Sequence, residues 1–184
     1  MKEWIGYYKN IVPEKLCDDI MNDNFGGFEW KSSTYSTHGG KNKDSSHRVV
    51  MDETYIKTFD RYFKDLSDCV EKVIENYKQI HSYMKYYNPK RITDFRVNRY
   101  GVGGFMSEHA DNIHHSHGQQ YGYPSASLLL FLNDDYEGGN LIVANNKCKT
   151  EKSSAIIFPS NFMFPHEVKP ITKGMRYSII TWLM

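Results

Sequence analysis

Hydrophobic positions follow a helical period in the first half of the chain and a strand period in the second. Pro13 suits a first helical turn, and Leu16, Ile20 and Met21 follow at helical spacing, so Pro13 to Asn22 reads as a short helix. A longer stripe begins near Thr54, runs through Tyr55, Phe59, Tyr62, Phe63 and Leu66, and continues to Val73, Tyr77 and Ile80. Its spacing of three and four predicts one amphipathic helix over Thr54 to Ile80, lying against a sheet. Between these helices, Lys31 to Arg48 is polar and rich in Ser, Gly, Lys and Asn, a surface hairpin or a lid.

The second half alternates. Ile156 to His166 runs apolar through Ile157, Phe158, Phe162 and Phe164 and predicts a strand ending in histidine. Gly174 then turns the chain. From Arg176 onward, Arg176, Ser178, Ile180 and Trp182 share one face, against Tyr177, Ile179, Thr181 and Leu183 on the other. In YEGGN, Gly138 and Gly139 read as a tight turn between strands, since no helix start or Lys-Ser pair follows to make a phosphate cradle.

Length and charge narrow the picture. A chain of 184 residues buries one sizeable core, so 1-184 is expected to be a single domain, with 1-90 as helical support and lid and 91-184 as the chemical core. With 23 basic and 22 acidic residues there is no field to recruit nucleic acid. No segment approaches the roughly 20 apolar residues of a membrane span, and the start, MKEWIGYYKN, lacks the apolar run of a signal peptide. Cys17, Cys69 and Cys148 are widely spaced and lack a CxxC, which suits reduced thiols and a cytoplasmic setting.

The candidate chemistry lies in His109, Asp111, His166 and Arg176. Side chains two apart on a strand point the same way, so His109 and Asp111 can reach one metal from a single extended segment, with His166 arriving from another. Two imidazoles and a carboxylate leave open coordination positions, as in non-haem Fe(II) oxygenases. A lone HxD would equally suit a solvated surface pair. An arginine on an apolar strand, however, needs a counter-charge, which a bound diacid can supply. Zinc or manganese in a hydrolase is a competing use of the triad, but leaves Arg176 without a diacid and provides no general base nearby. A non-catalytic binding module is another. His114, His115 and His117 sit among Gly118, Gln119 and Gln120 and read as a solvated loop rather than a second metal site.

The runs YGVGGFMSEHAD, SLLLFLNDDYEGGNL and IIFPSNFMFPHEVKPITKGMRYSIITWL, within Asp94 to Met184, together resemble the core of 2-oxoglutarate and Fe(II)-dependent dioxygenases of the prolyl 4-hydroxylase type, including PKHD-type and oxygen-sensing prolyl hydroxylases. The resemblance implies a mainly β double-stranded β-helix, or jelly roll, buttressed by the two N-terminal helices. It makes His109, Asp111 and His166 the iron ligands and Arg176 the partner of the distal carboxylate of 2-oxoglutarate. Tyr100 matches a cosubstrate hydrogen-bonding tyrosine, and Trp182 an aromatic on the substrate side. The implied reaction couples 2-oxoglutarate decarboxylation to hydroxylation of an unactivated C–H, with ascorbate as an accessory reductant. The implied substrate is a prolyl residue of a peptide or protein, with a free amino acid or other small molecule as the alternative. Retention of Asp111 argues against a halogenase. The chain departs from the family pattern at Pro124, where an arginine is common, and at Phe131 and Leu141, where a tyrosine or threonine can occur; Ser127 or Ser178 could supply the missing cosubstrate contacts.

Overall fold

A computed structural model describes residues 1–23, 26–34, 47–111 and 123–184. Residues 35–46 of the expected lid, and the three loop histidines His114, His115 and His117, lie outside the described residues. The elements run β1 (Gly6–Tyr8), α1 (Glu14–Met21), β2 (Lys31–Ser32), β3 (Val49–Val50), β4 (Asp52–Ile56), α2 (Phe63–Tyr77), β5 (Phe95–Tyr100), β6 (Phe105–His109) and β7 (Ala126–Phe131). They continue as β8 (Glu137–Gly138), β9 (Leu141–Val143), β10 (Asn146–Lys147), β11 (Ala155–Pro159), β12 (His166–Val168), β13 (Ile171–Lys173) and β14 (Arg176–Leu183).

The chain is mainly β, and every strand pair among the described residues is antiparallel. A seven-stranded sheet has the order β1-β11-β7-β14-β5-β4-β2, and a five-stranded sheet the order β10-β9-β12-β6-β3. Strand alternation gives the large sheet two different faces. Phe95, Val97, Leu128, Leu130, Ile157 and Ile179 point outward and join Leu16, Ile20, Leu66, Val70 and Val73 of α1 and α2 in one core. Tyr100, Leu129, Phe131, Phe158 and Ile180 point inward and pack with Leu141, Val143 and Val168 of the small sheet in a second core.

The short helix forms as expected, with Pro13 at its entrance in an extended conformation. The long helix does not span Thr54 to Ile80. It occupies only Phe63–Tyr77, while Asp52–Ile56 is a strand hydrogen-bonded to β5. Thr54 and Ile56 are buried and Tyr55 is exposed, the two-residue period of a half-buried strand. The Asp60 carboxylate then accepts the Lys57 N–H at 2.6 Å, closing a turn that separates strand from helix. The aromatic spacing at Tyr55 and Phe59 mimics a helical stripe, but Phe59 is fully exposed.

The expected strand Ile156 to His166 is also divided. Ala155–Pro159 belongs to the large sheet and His166–Val168 to the small one. The connection includes Ser160, buried, and Phe162, exposed. Pro159 and Pro165 bracket it, each lacking the N–H that would continue a ladder. Arg176–Leu183 follows the predicted alternation, with Ile180 and Trp182 in the inner core and Ile179 and Leu183 in the outer one. Gly138 and Gly139 both have positive φ, 78° and 59°, where β8 meets β13.

Candidate active site

The small sheet's register creates the site. His166, the first residue of β12, lies directly opposite His109, the last residue of β6, and their rings stand 4.3 Å apart. Asp111 follows two residues beyond β6. Its Oδ1 is 3.6 Å from His109 Nε2 and its Oδ2 is 3.4 Å from His166 Nε2. One ligating atom from each residue falls within 4.8 Å of the others, so the expected triad does converge.

Backbone carbonyls set the tautomers. His109 Nδ1 lies 2.9 Å from the Ser107 carbonyl and His166 Nδ1 lies 3.2 Å from that of Phe164. A carbonyl only accepts, so each Nδ1 carries the proton and each Nε2 presents a lone pair toward Asp111. Burial, reinforced by the neighbouring His166, pushes the His109 pKa down to about 4 despite the attraction of Asp111. Burial opposes ionisation of Asp111. The imidazoles on either side, the Ser127 hydroxyl and the Trp182 indole nevertheless hold its carboxyl below the usual range. Ser127 donates to Asp111 Oδ2 at 2.5 Å and lies 2.8 Å from the Ser160 hydroxyl.

Arg176 lies on the same inner face and is fully buried. Its guanidinium carbon sits over Tyr100 at 5.1 Å and over Phe131 at 5.5 Å, and Nη1 donates to Ser178 Oγ at 3.1 Å. Nε and Nη2 have no hydrogen-bond partner among the described residues. An ion so placed needs a counter-charge to offset its desolvation. Gly139 makes room for it: a Cβ there would lie 3.2 Å from Arg176 Cδ and would collide with Ile171 Cδ1. Tyr100, directly opposite Arg176 in the sheet, is buried, which pushes its phenol pKa up although the Arg176 charge pulls the other way. It stays protonated and able to donate.

The remaining sequence candidates divide by neighbourhood. Ser127 is engaged with Asp111, and Ser178 with Arg176. Phe131, where a hydrogen-bonding residue can stand, instead flanks the guanidinium with its ring. Trp182 lies between the triad and Arg96, whose guanidinium carbon is 5.1 Å from its ring centre. Sequence reasoning passes over Ser160, Asn98 and Arg96. The last two carry a readable signal, because in FRVNRY they share the parity of Tyr100 and so face the site.

Residues 95–184 match the 2OG-Fe(II) oxygenase superfamily. It is 32% identical over 103 residues to a PKHD-type hydroxylase of Psychrobacter sp. (strain PRwf-1), covering 52% of this chain and 39% of that one. It is 28% identical over 145 residues to prolyl 3-hydroxylase 2 of Homo sapiens, covering 66% of this chain and 20% of that one. The chain thus spans well under half the length of these relatives. The fold matches a Trichoplax adhaerens prolyl hydroxylase solved with a hypoxia-inducible-factor peptide fragment, with a TM-score of 0.73, 20% identity and coverage of 99% and 84% of the two chains. It also matches the viral collagen prolyl hydroxylase of Paramecium Bursaria Chlorella virus-1, with a TM-score of 0.70, 16% identity and coverage of 97% and 94%.

The family implies Fe(II) and 2-oxoglutarate, and the residues present fit both. Two imidazoles and a carboxylate make a donor set suited to Fe(II), and Arg176, whose Nε and Nη2 have no hydrogen-bond partner among the described residues, suits a carboxylate.

Proposed function

We propose that this chain is an Fe(II)- and 2-oxoglutarate-dependent oxygenase that hydroxylates an unactivated C–H, that of a prolyl residue in a peptide or protein. The observation that carries the reading is Arg176: a fully buried guanidinium with unpartnered Nε and Nη2, on the face that also bears the anchor of the His109–Asp111–His166 triad. The sheet order, with helices on the outer face of the larger sheet, supports assignment of the fold as a double-stranded β-helix in one domain, 1-184, with the catalytic core in 91-184.

In this reading His109, Asp111 and His166 hold the metal through Nε2, a carboxylate oxygen and Nε2. The Ser107 and Phe164 carbonyls fix both rings in the metal-binding tautomer, and the Ser127 hydroxyl keeps Asp111 ionised and oriented. Arg176 grips the distal carboxylate of 2-oxoglutarate, with Ser178 steering Nη1 and Tyr100 as a second donor. Trp182 packs beside Asp111 on the substrate side. Iron and 2-oxoglutarate supply oxygen activation coupled to oxidative decarboxylation, while the inner core excludes water and orients the reactants. Free thiols at Cys17, Cys69 and Cys148 fit a reducing, cytoplasmic compartment in which ascorbate can serve as accessory reductant.

The test is succinate formation by the purified chain with Fe(II), 2-oxoglutarate and proline-containing peptides, with mass spectrometry of the product. The reading predicts metal- and 2-oxoglutarate-dependent succinate and one added oxygen on proline. Oxygen on another residue, or on a free amino acid, replaces the substrate; absence of succinate under every condition removes the oxygenase.

A further inference from the structure

The inner face carries a second guanidinium that the triad and Arg176 do not use. Arg96 lies directly opposite Ile180 in the sheet, so its side chain shares the inward face of Trp182. It stacks over that indole at 5.1 Å. Its side chain is 15% exposed, and its Nε is buried with no hydrogen-bond partner among the described residues.

The anion nearest Arg96 is a poor match. Glu53 Oε2 stands 3.8 Å from Arg96 Nη1, beyond hydrogen-bond reach, and Glu53 also accepts from the Tyr55 hydroxyl at 3.2 Å. Tyr55 lies directly opposite Arg96, its hydroxyl accepting from the guanidinium, and is 43% exposed, so this end of the inner face opens to solvent. A guanidinium fork that is mostly buried, stacked and loosely paired at the mouth of a site is well suited to a planar carboxylate arriving from outside.

Resting on the oxygenase reading, we propose that Arg96 is a substrate-specificity residue that binds a carboxylate of the primary substrate and holds the substrate beside Trp182. The carboxylate is either that of a free amino acid or an acidic side chain flanking the target residue in a peptide. Glu53 occupies the fork loosely until that carboxylate displaces it.

The test uses the full chain loaded with Mn(II), which binds the same donors without turnover, and saturating 2-oxoglutarate. Calorimetry then compares acid and amide pairs: L-proline with L-prolinamide, and acetyl-Glu-Pro-Gly-amide with acetyl-Gln-Pro-Gly-amide. At least one acid is expected to bind ten-fold or more tightly than its amide, and which pair responds identifies the source of the carboxylate. Arg96→Met should bring that preference below two-fold. Arg99→Met, which removes a guanidinium from the opposite face of the same strand, should leave it intact. Glu53→Gln should strengthen acid binding several-fold, an effect that a purely structural ion pair does not produce, and it remains informative if Arg96→Met fails to fold. Equal binding of acids and amides by the unmodified chain, or binding of neither, overturns the proposal. So does a loss of 2-oxoglutarate affinity in Arg96→Met as large as the loss for the acid, which would assign Arg96 to the cosubstrate. Failure of 2-oxoglutarate to bind the Mn(II)-loaded chain overturns the oxygenase reading with it.

Discussion

The two faces of the seven-stranded sheet are built by the same strands and do opposite work. On the outer face Phe95, Val97, Leu130 and Ile179 are buried against α1 and α2, and a buried polar residue there, Thr181, donates to the Thr93 carbonyl at 3.0 Å. On the inner face, one residue along each strand, Arg176 leaves Nε and Nη2, and the mostly buried Arg96 leaves Nε, without hydrogen-bond partners among the described residues. Buried polar groups are ordinarily satisfied, so unsatisfied ones gathered on one face mark where a ligand completes the structure. One face serves stability, and the other gives some of it up for binding.

Truncation on each face should separate these roles. Leu130→Ala on the outer face is expected to cost about 2–5 kcal/mol in urea unfolding, from lost burial and the cavity left behind, while the folded protein keeps its 2-oxoglutarate affinity. Arg176→Met on the inner face should do the reverse. It is expected to remove about 2–5 kcal/mol of 2-oxoglutarate binding free energy by calorimetry, while leaving the ligand-free protein as stable as before or more so, since a poorly compensated buried charge is lost. Equal damage to stability and binding in either variant would erase the distinction.

Acid sharpens the comparison from the inner side. His109 has its folded pKa near 4, below the ordinary value of 6.5, so the unfolded chain takes up the proton first as pH falls. Metal-free stability should therefore be retained above about pH 6.5 and fall by on the order of 3 kcal/mol toward pH 4. His109→Gln should flatten that slope in pH-dependent unfolding, and an unchanged slope would place the sensitive group elsewhere. The smallest expected effect is at Ser127. Ser127→Ala removes a hydrogen bond that orients Asp111 and should weaken metal binding about 10- to 100-fold, with much less change in 2-oxoglutarate affinity once metal is saturating.

Much of the inner face is legible in the amino-acid sequence. Alternation from Arg176 to Trp182 places the cation and the indole on one side because a period of two leaves no other choice for a strand packed on both faces. The triad is legible because its spacing carries coordination chemistry. Thr54 to Ile80 misleads because Tyr55, Phe59 and Phe63 fall four apart whether or not the chain is helical, and pairing with β5 decides against a helix over the first part. The break between Phe158 and His166 depends on which sheet receives each half, a tertiary choice that the apolar run alone does not encode. Ser160 escapes notice for the same reason: its contact with Ser127 spans 33 residues of sequence.

The central claim is that the triad and Arg176 form one joint site for Fe(II) and 2-oxoglutarate, and anaerobic absorption spectroscopy tests it most directly. Adding 2-oxoglutarate to the Fe(II)-loaded chain should produce a weak visible metal-to-ligand charge-transfer band that saturates with the cosubstrate and is absent from Asp111→Ala. Folded protein that takes up Fe(II) yet shows no such band at saturating 2-oxoglutarate would contradict the account.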